Sequence, residues 1–159
     1  MNRKRAIIAV AVILAIAGIV LGVDLWRRSQ VVDIPPGSVP IYVNGRLVGA
    51  FTPTDLETLE PVSFVDAEEG KTQDGWPLCD AVRLYVDKSS LRPKTTVVVS
   101  SSSRGKSAEM TLDQVDDPDN YVMFDLSNKG TLKLVSKMEG LATRDEWVQD
   151  VDKVELATP

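Results

Sequence analysis

Eighteen consecutive residues, Ala6 to Val23, carry only Ala, Ile, Val, Leu and two Gly. As a helix rising ~1.5 Å per residue, that run extends roughly 27 Å, the thickness of a bilayer core. Arg3, Lys4 and Arg5 precede it, and Asp24-Leu25-Trp26-Arg27-Arg28 follow, so an interfacial aromatic and snorkelling arginines close its far end. The three cations and the α-amino group before the run outweigh the two cations after it. The positive-inside rule therefore predicts a cytoplasmic N-terminus and an exported remainder. The expectation is a single-pass cell-membrane anchor over residues 1–28, with the lipid bilayer contacting Ala6 to Val23. A cleaved signal peptide ending near Val20-Leu21-Gly22 is the alternative, although the run exceeds the about 7–15 apolar residues of such a leader.

From Ser29 onward, 131 residues hold 13 Lys and Arg against 22 Asp and Glu, a net charge of −9. That length builds one ordinary domain and is short for two. The acidic balance argues against nucleic acid as a partner, since duplex and single strands are bound by neutralising phosphates. The chain contains no His, which excludes Ser-His-Asp and Cys-His pairs, His-ligated zinc and His proton shuttles. Its one Cys, Cys79, excludes an internal disulfide.

Ser29 to Pro40, with Pro35, Pro36, Gly37 and Pro40, lacks any period and reads as an extended tether over residues 29–40. The exported domain is expected over 41–156, with a tail at 157–159. Ile41-Tyr42-Val43, Asn44-Gly45 and Arg46-Leu47-Val48 form a hairpin signal, because a type I′ turn needs positive φ at both central positions. Thr52, Pro53 and Asp55 then spell the start of a capped helix with Leu56 and Leu59 inside. A second, looser version of the same order runs from the strand Thr95–Ser101 through a turn at Ser102–Lys106 and a return at Ser107–Met110 to Thr111-Leu112-Asp113-Gln114. Val62–Val65 reads as a strand, Gly70–Gly75 as a loop and Leu78–Tyr85 as a helix. Tyr121–Leu126, Thr131–Val135 and Val148–Leu156 read as strands. The fold class expected is α+β, with mixed and antiparallel sheets and short helices.

Few residue groups suggest chemistry. Glu69-Gly70-Lys71-Thr72 ends like a phosphate loop, but Val65 stands where the first Gly of that motif belongs. Ser102, Ser103, Arg104 and Lys106 could present hydroxyls, amides and cations to an anion, or simply form a solvated hairpin tip. Asp116, Asp117, Asp119 and Asn120 offer enough oxygens for Ca²⁺ but lack the EF-hand spacing and read as a helix-ending loop, and Asp66, Glu68 and Glu69 with Lys71 invite a metal or acid-base role whose plainer reading is a solvated loop. Cys79 is a candidate nucleophile or metal ligand whose plainer reading is a small buried hydrophobe. Trp147 reads as core. Trp76, Tyr85, Tyr121 and Trp147 lining a ligand cleft is a further possibility, with core the usual place for aromatics so spaced.

The order of these pieces resembles one known family. Phe51-Thr52-Pro53-Thr54-Asp55-Leu56-Glu57-Thr58-Leu59 with Pro61-Val62, then Gly75-Trp76-Pro77-Leu78-Cys79-Asp80-Ala81-Val82, is similar to successive stretches of the oxidoreductase molybdopterin-binding domain, the sulfite-oxidase-type fold. Thr96-Val97-Val98-Val99-Ser100 with Thr111-Leu112-Asp113-Gln114-Val115, and the closing Trp147-Val148-Gln149-Asp150-Val151-Asp152-Lys153-Val154-Glu155-Leu156, continue the likeness across about Ile41 to Leu156. The resemblance implies that fold and, in catalytic members, a molybdenum-ligating Cys after the first helix. Here that stretch is Val62-Ser63-Phe64-Val65-Asp66, without Cys, and Cys79 lies in a later element. Arg3-Lys4-Arg5 is also not the twin-arginine signal that folded export of a cofactor-loaded protein would need.

The expectation is therefore a membrane-anchored, extracytoplasmic accessory module that binds no cofactor or metal and docks a membrane or envelope protein. The alternative is a molybdopterin oxidoreductase or electron-transfer subunit with a divergent site, using Arg104 and Lys106 on the pterin phosphate and Cys79 near the metal.

Overall fold

Hydrophobic alternation and turn chemistry set the strands, and tertiary packing sets their pairing in the computed structural model, which describes residues 34–159. The apolar run and its flanks lie outside the described residues. Among the described residues no helix is long and apolar enough to cross a membrane.

β1 (Val39–Val43) and β2 (Arg46–Phe51) pair antiparallel across Asn44-Gly45, whose φ values of 50° and 75° are those the turn demands. α1 (Pro53–Leu56) follows under a reciprocal cap: Asp55 N–H donates to Thr52 Oγ1, and Thr52 N–H donates to Asp55 Oδ2 at 2.7 Å. β3 (Val62–Val65), β4 (Thr72–Pro77) and α2 (Leu78–Arg83) come next. A second hairpin, β5 (Thr96–Ser101) and β6 (Lys106–Thr111), leads into α3 (Leu112–Asp116), capped by Thr111 and Gln114. β7 (Met123–Leu126), β8 (Leu132–Val135) and β9 (Lys153–Ala157) complete the chain.

The strands make two sheets, in the orders β2-β1-β9-β5-β6 and β3-β4-β7-β8. All pairs are antiparallel except β1 with β9. The two similar hairpin-and-helix units flank β9 on its two sides, so the sequence likeness between them corresponds to like positions in one sheet. The architecture is α+β, with two sheets and a few short helices.

Phe124 and Leu134 of the second sheet join Ile41, Phe51, Val97, Val99, Val154 and Leu156 of the first, with Leu78, Ala81 and Val82 of α2, in the main core. The Phe51 and Phe124 rings lie 5.4 Å apart. Because strand side chains alternate between faces, Met123 and Val135 point the other way, into a smaller cluster with Phe64 and Trp147. The second sheet is thus buried on both faces along Met123-Phe124 and Leu134-Val135, whereas Ser63, Val65, Thr72 and Asp74 of β3 and β4 are exposed.

Four sequence expectations need correction. β1 begins at Val39, already buried, rather than at Ile41. Gly70–Gly75 is not all loop: from Thr72 it is β4, held between β3 and β7, and Gly75 is required because a Cβ there would stand 2.1 Å from the Phe124 carbonyl oxygen. β7 starts at Met123 because Tyr121 takes a left-handed φ of 48°. Val148–Leu156 is not one strand. Val148 bridges Leu134 of the second sheet, Asp150 turns the chain at φ 54°, and only Lys153–Ala157 joins the first sheet. A strand pattern cannot reveal that its two halves serve different sheets.

Candidate functional site

α2 starts directly after Pro77 and turns Leu78, Ala81 and Val82 into the core, which leaves Cys79 at its margin. The thiol is 3% exposed and donates to Asp116 Oδ1, at 3.0 Å, from the end of α3. One turn on, Arg83 grips the same carboxylate at 2.9 and 3.0 Å and reaches Asp80 at 3.1 Å. Its enclosed Nε finds no acceptor among the described residues. Burial, and then the hydrogen bond to Asp116, push the Cys79 thiol up to about 12. Asp116 in turn is held below its ordinary range, first by the thiol and then, against the opposing effect of burial, by Arg83. Cys79 thus serves here as a hydrogen-bond donor; acting as a nucleophile or metal ligand would require it to lose its proton and its bond to Asp116. Nothing in the sequence couples residues 79 and 116, since 37 positions separate them.

Ser102, Ser103 and Arg104 are exposed at the hairpin tip and Lys106 is half-buried, and each is also hydrogen-bonded within the protein. Ser102 donates from its backbone N–H, at 2.7 Å, and from its hydroxyl to the Asp152 carboxylate. Ser103 Oγ lies 3.2 Å from Ser101 Oγ, Arg104 Nε donates to Asp150 at 2.6 Å, and Lys106 donates to the Asp145 carbonyl. These bonds fasten the β5–β6 turn to the segment leading into β9. The four residues do not share one pocket: Arg104 faces a polar cleft of about 470 Å³, while Ser102 and Lys106 border a separate shallow one. Cys79 lines a third. In the polar cleft Lys71, Arg104, Lys133 and Arg144 are each already paired with a carboxylate, on Glu69, Asp150, Asp125 and Asp66 respectively.

The Asp66 loop is likewise more ordered than a solvated charge run. Asp66 is 3% exposed. Its Oδ1 accepts the N–H groups of Glu68 and Glu69 at 2.7 and 3.1 Å, and its Oδ2 accepts Arg144 Nε and Nη2 at 3.0 and 2.9 Å. The Glu69 N–H is the largest influence holding the carboxyl below its usual range; burial opposes it, and the Glu68 N–H and Arg144 reinforce it. Arg144 also pairs with Glu69 at 3.0 Å, and its own N–H donates to Glu68 at 2.8 Å. Its guanidinium lies 5.7 Å from the ring centroid of Trp147, with the Lys133 ammonium at 5.3 Å. Trp147 is buried, as expected, and donates to the Leu141 carbonyl at 2.9 Å. Sequence reading missed Arg144 entirely; 78 residues separate it from Asp66.

Asp117 and Asp119 form a local turn in which Asp117 accepts the Asp119 N–H at 3.0 Å. Among the described residues, no three His, Cys, Asp or Glu groups stand together as a metal set. The molybdenum-ligand stretch suggested by the resemblance thus ends in Asp66, both of whose oxygens are engaged, while the chain's one thiol lies in a different element, buried against the Asp116 carboxylate. This donor set does not fit a pterin-held metal. No family model matches the chain, and no curated protein matches it significantly.

Proposed function

We propose that this chain is a membrane-anchored, extracytoplasmic domain of the sulfite-oxidase type that works without the pterin cofactor, as an accessory docking module of a cell-envelope complex. The two-sheet α+β architecture and the motif order support the family reading. The apolar run at Ala6 to Val23, with its flanking charges, supports the anchor and the export of the domain.

One observation carries the non-catalytic reading: at the end of β3, the Asp66–Arg144 ion pair fills the stretch where the family's ligating Cys would be. With both oxygens accepting hydrogen bonds, Asp66 ties the β3–β4 loop to the segment before β9. The redox alternative asks Cys79, Arg104 and Lys106 to meet in one pocket, and they line three different clefts.

Molybdenum, tungsten and pterin assays on detergent-extracted protein from its native membrane test the proposal. The expected result is none of the three, with a membrane protein crosslinked to the exported domain. A near-stoichiometric metal with pterin would refute it and make the chain a redox subunit.

A further inference from the structure

The cleft beside Cys79, about 340 Å³, adjoins a second of about 390 Å³, and the two share Arg83, Asp116 and Asp117. Together they form one open groove crossed by the Arg83–Asp116 ion pair. Val62, Pro77 and Tyr121 wall its first half, and Leu91 and Pro93 its second. Each half lies at the small end of the about 300–1,000 Å³ that small-molecule pockets occupy. Two such open halves in series suit successive side chains of an extended segment better than one enclosed ligand.

Charge narrows the occupant. Asp113 and Asp117 stand on the rim, each accepting only a neighbouring backbone N–H, from Gln114 and Asp119, with no cation in ion-pair range among the described residues. Counting Asp80, Asp113, Asp116 and Asp117 against Arg83 and Lys88, the groove carries a net charge of −2. At its first end it meets β3, an edge strand of the second sheet. The bond from Asp66 N–H to the Lys71 carbonyl sets the β3–β4 register, which turns the backbone groups of Ser63 and Val65 outward. β3 pairs only with β4, so its outer edge has no strand partner among the described residues.

We propose that this groove docks an extended apolar segment of a partner envelope protein flanked by Lys or Arg, with the cations over Asp113 and Asp117. The inference rests on the docking-module reading and names the surface and the partner's chemistry. A segment of this kind buries its apolar side chains in the two halves, while the rim carboxylates set its charge preference and the salt dependence of its association.

Site-specific photo-crosslinking of the full chain in its native membrane tests it. A benzophenone amino acid is placed at Lys88 or Pro118 in the groove, or at Lys129 in the β7–β8 turn as a control, and the crosslinked peptides are sequenced. The expected adduct forms from the groove positions on an apolar, net-positive segment of another protein. Its yield is expected to fall about threefold or more in Asp113→Asn/Asp117→Asn, and further in Asp113→Lys/Asp117→Lys, as for neutralised and reversed rim charges. An adduct to a second copy of this chain, an acidic target segment, or yields indifferent to the rim substitutions would overturn the proposal. Crosslinking to a partner from Lys129 alone would overturn the groove while sparing the docking reading. Stoichiometric metal and pterin would remove the docking reading itself.

Discussion

A chemical probe of Cys79 tests the central electrostatic argument. Its thiol is raised from the ordinary 9.0 to about 12 by burial and by Asp116, so the native thiolate population is lower by three decades at neutral to mildly alkaline pH. A thiolate of higher pKa is intrinsically more nucleophilic, with a Brønsted slope of about 0.4–0.5, which returns somewhat under half of that deficit. The net slowing from protonation alone is about fiftyfold, and steric enclosure of a 3%-exposed side chain adds to it. An aromatic disulfide reagent followed by absorbance at about pH 8, on native protein and on protein unfolded in urea, gives the ratio directly. Asp116→Asn removes the negative charge and leaves Arg83 beside the sulfur, so the native rate should rise. Arg83→Ala should not raise it by that route. Native Cys79 reacting within tenfold of the unfolded thiol, without urea-dependent opening, would refute the assignment of a neutral donor. It would also reopen the residue as a ligand.

Arg144→Ala should destabilise the domain at neutral pH, with the gap from the parent shrinking in acid: the folded Asp66 carboxyl lies below its unfolded value of 3.8, so its stabilisation is complete above that value and is lost as pH falls through the lower one. Urea titrations from neutral pH to about pH 2 measure the gap, and a constant difference would contradict the ion-pair account. Gly75→Ala should cost about 1–3 kcal/mol or more, because the new Cβ meets the Phe124 backbone rather than a movable side chain; an unchanged melting temperature would show that β4 and β7 part freely.

Local rules made much of the fold legible. Asn44-Gly45, the Thr52–Asp55 and Thr111–Gln114 caps, and the alternation in Thr96–Ser101 each act within a few residues, and each forms as the sequence predicts. β4 was hidden because Thr-Gln-Asp-Gly has weak strand propensity; its place between β3 and β7 overrides that preference. The break at Asp150 was hidden because both halves of Val148–Leu156 carry strand-like residues.

The candidate site was legible in its members more than in its connections. Cys79 and Asp66 stood out by residue type, but their partners Asp116 and Arg144 lie 37 and 78 positions away. What the sequence by itself determined was therefore what acts locally or by composition: turns, caps, strand alternation, the apolar run, the acidic charge, and the absence of His. Tertiary structure alone decided which carboxylate meets the thiol, which guanidinium neutralises Asp66, and that Arg104, Lys106 and Cys79 face separate clefts. The physical reason is that charge and hydrogen-bond energies depend on distances through space, and two sheets with a chain crossing between them bring together residues no sequence window contains.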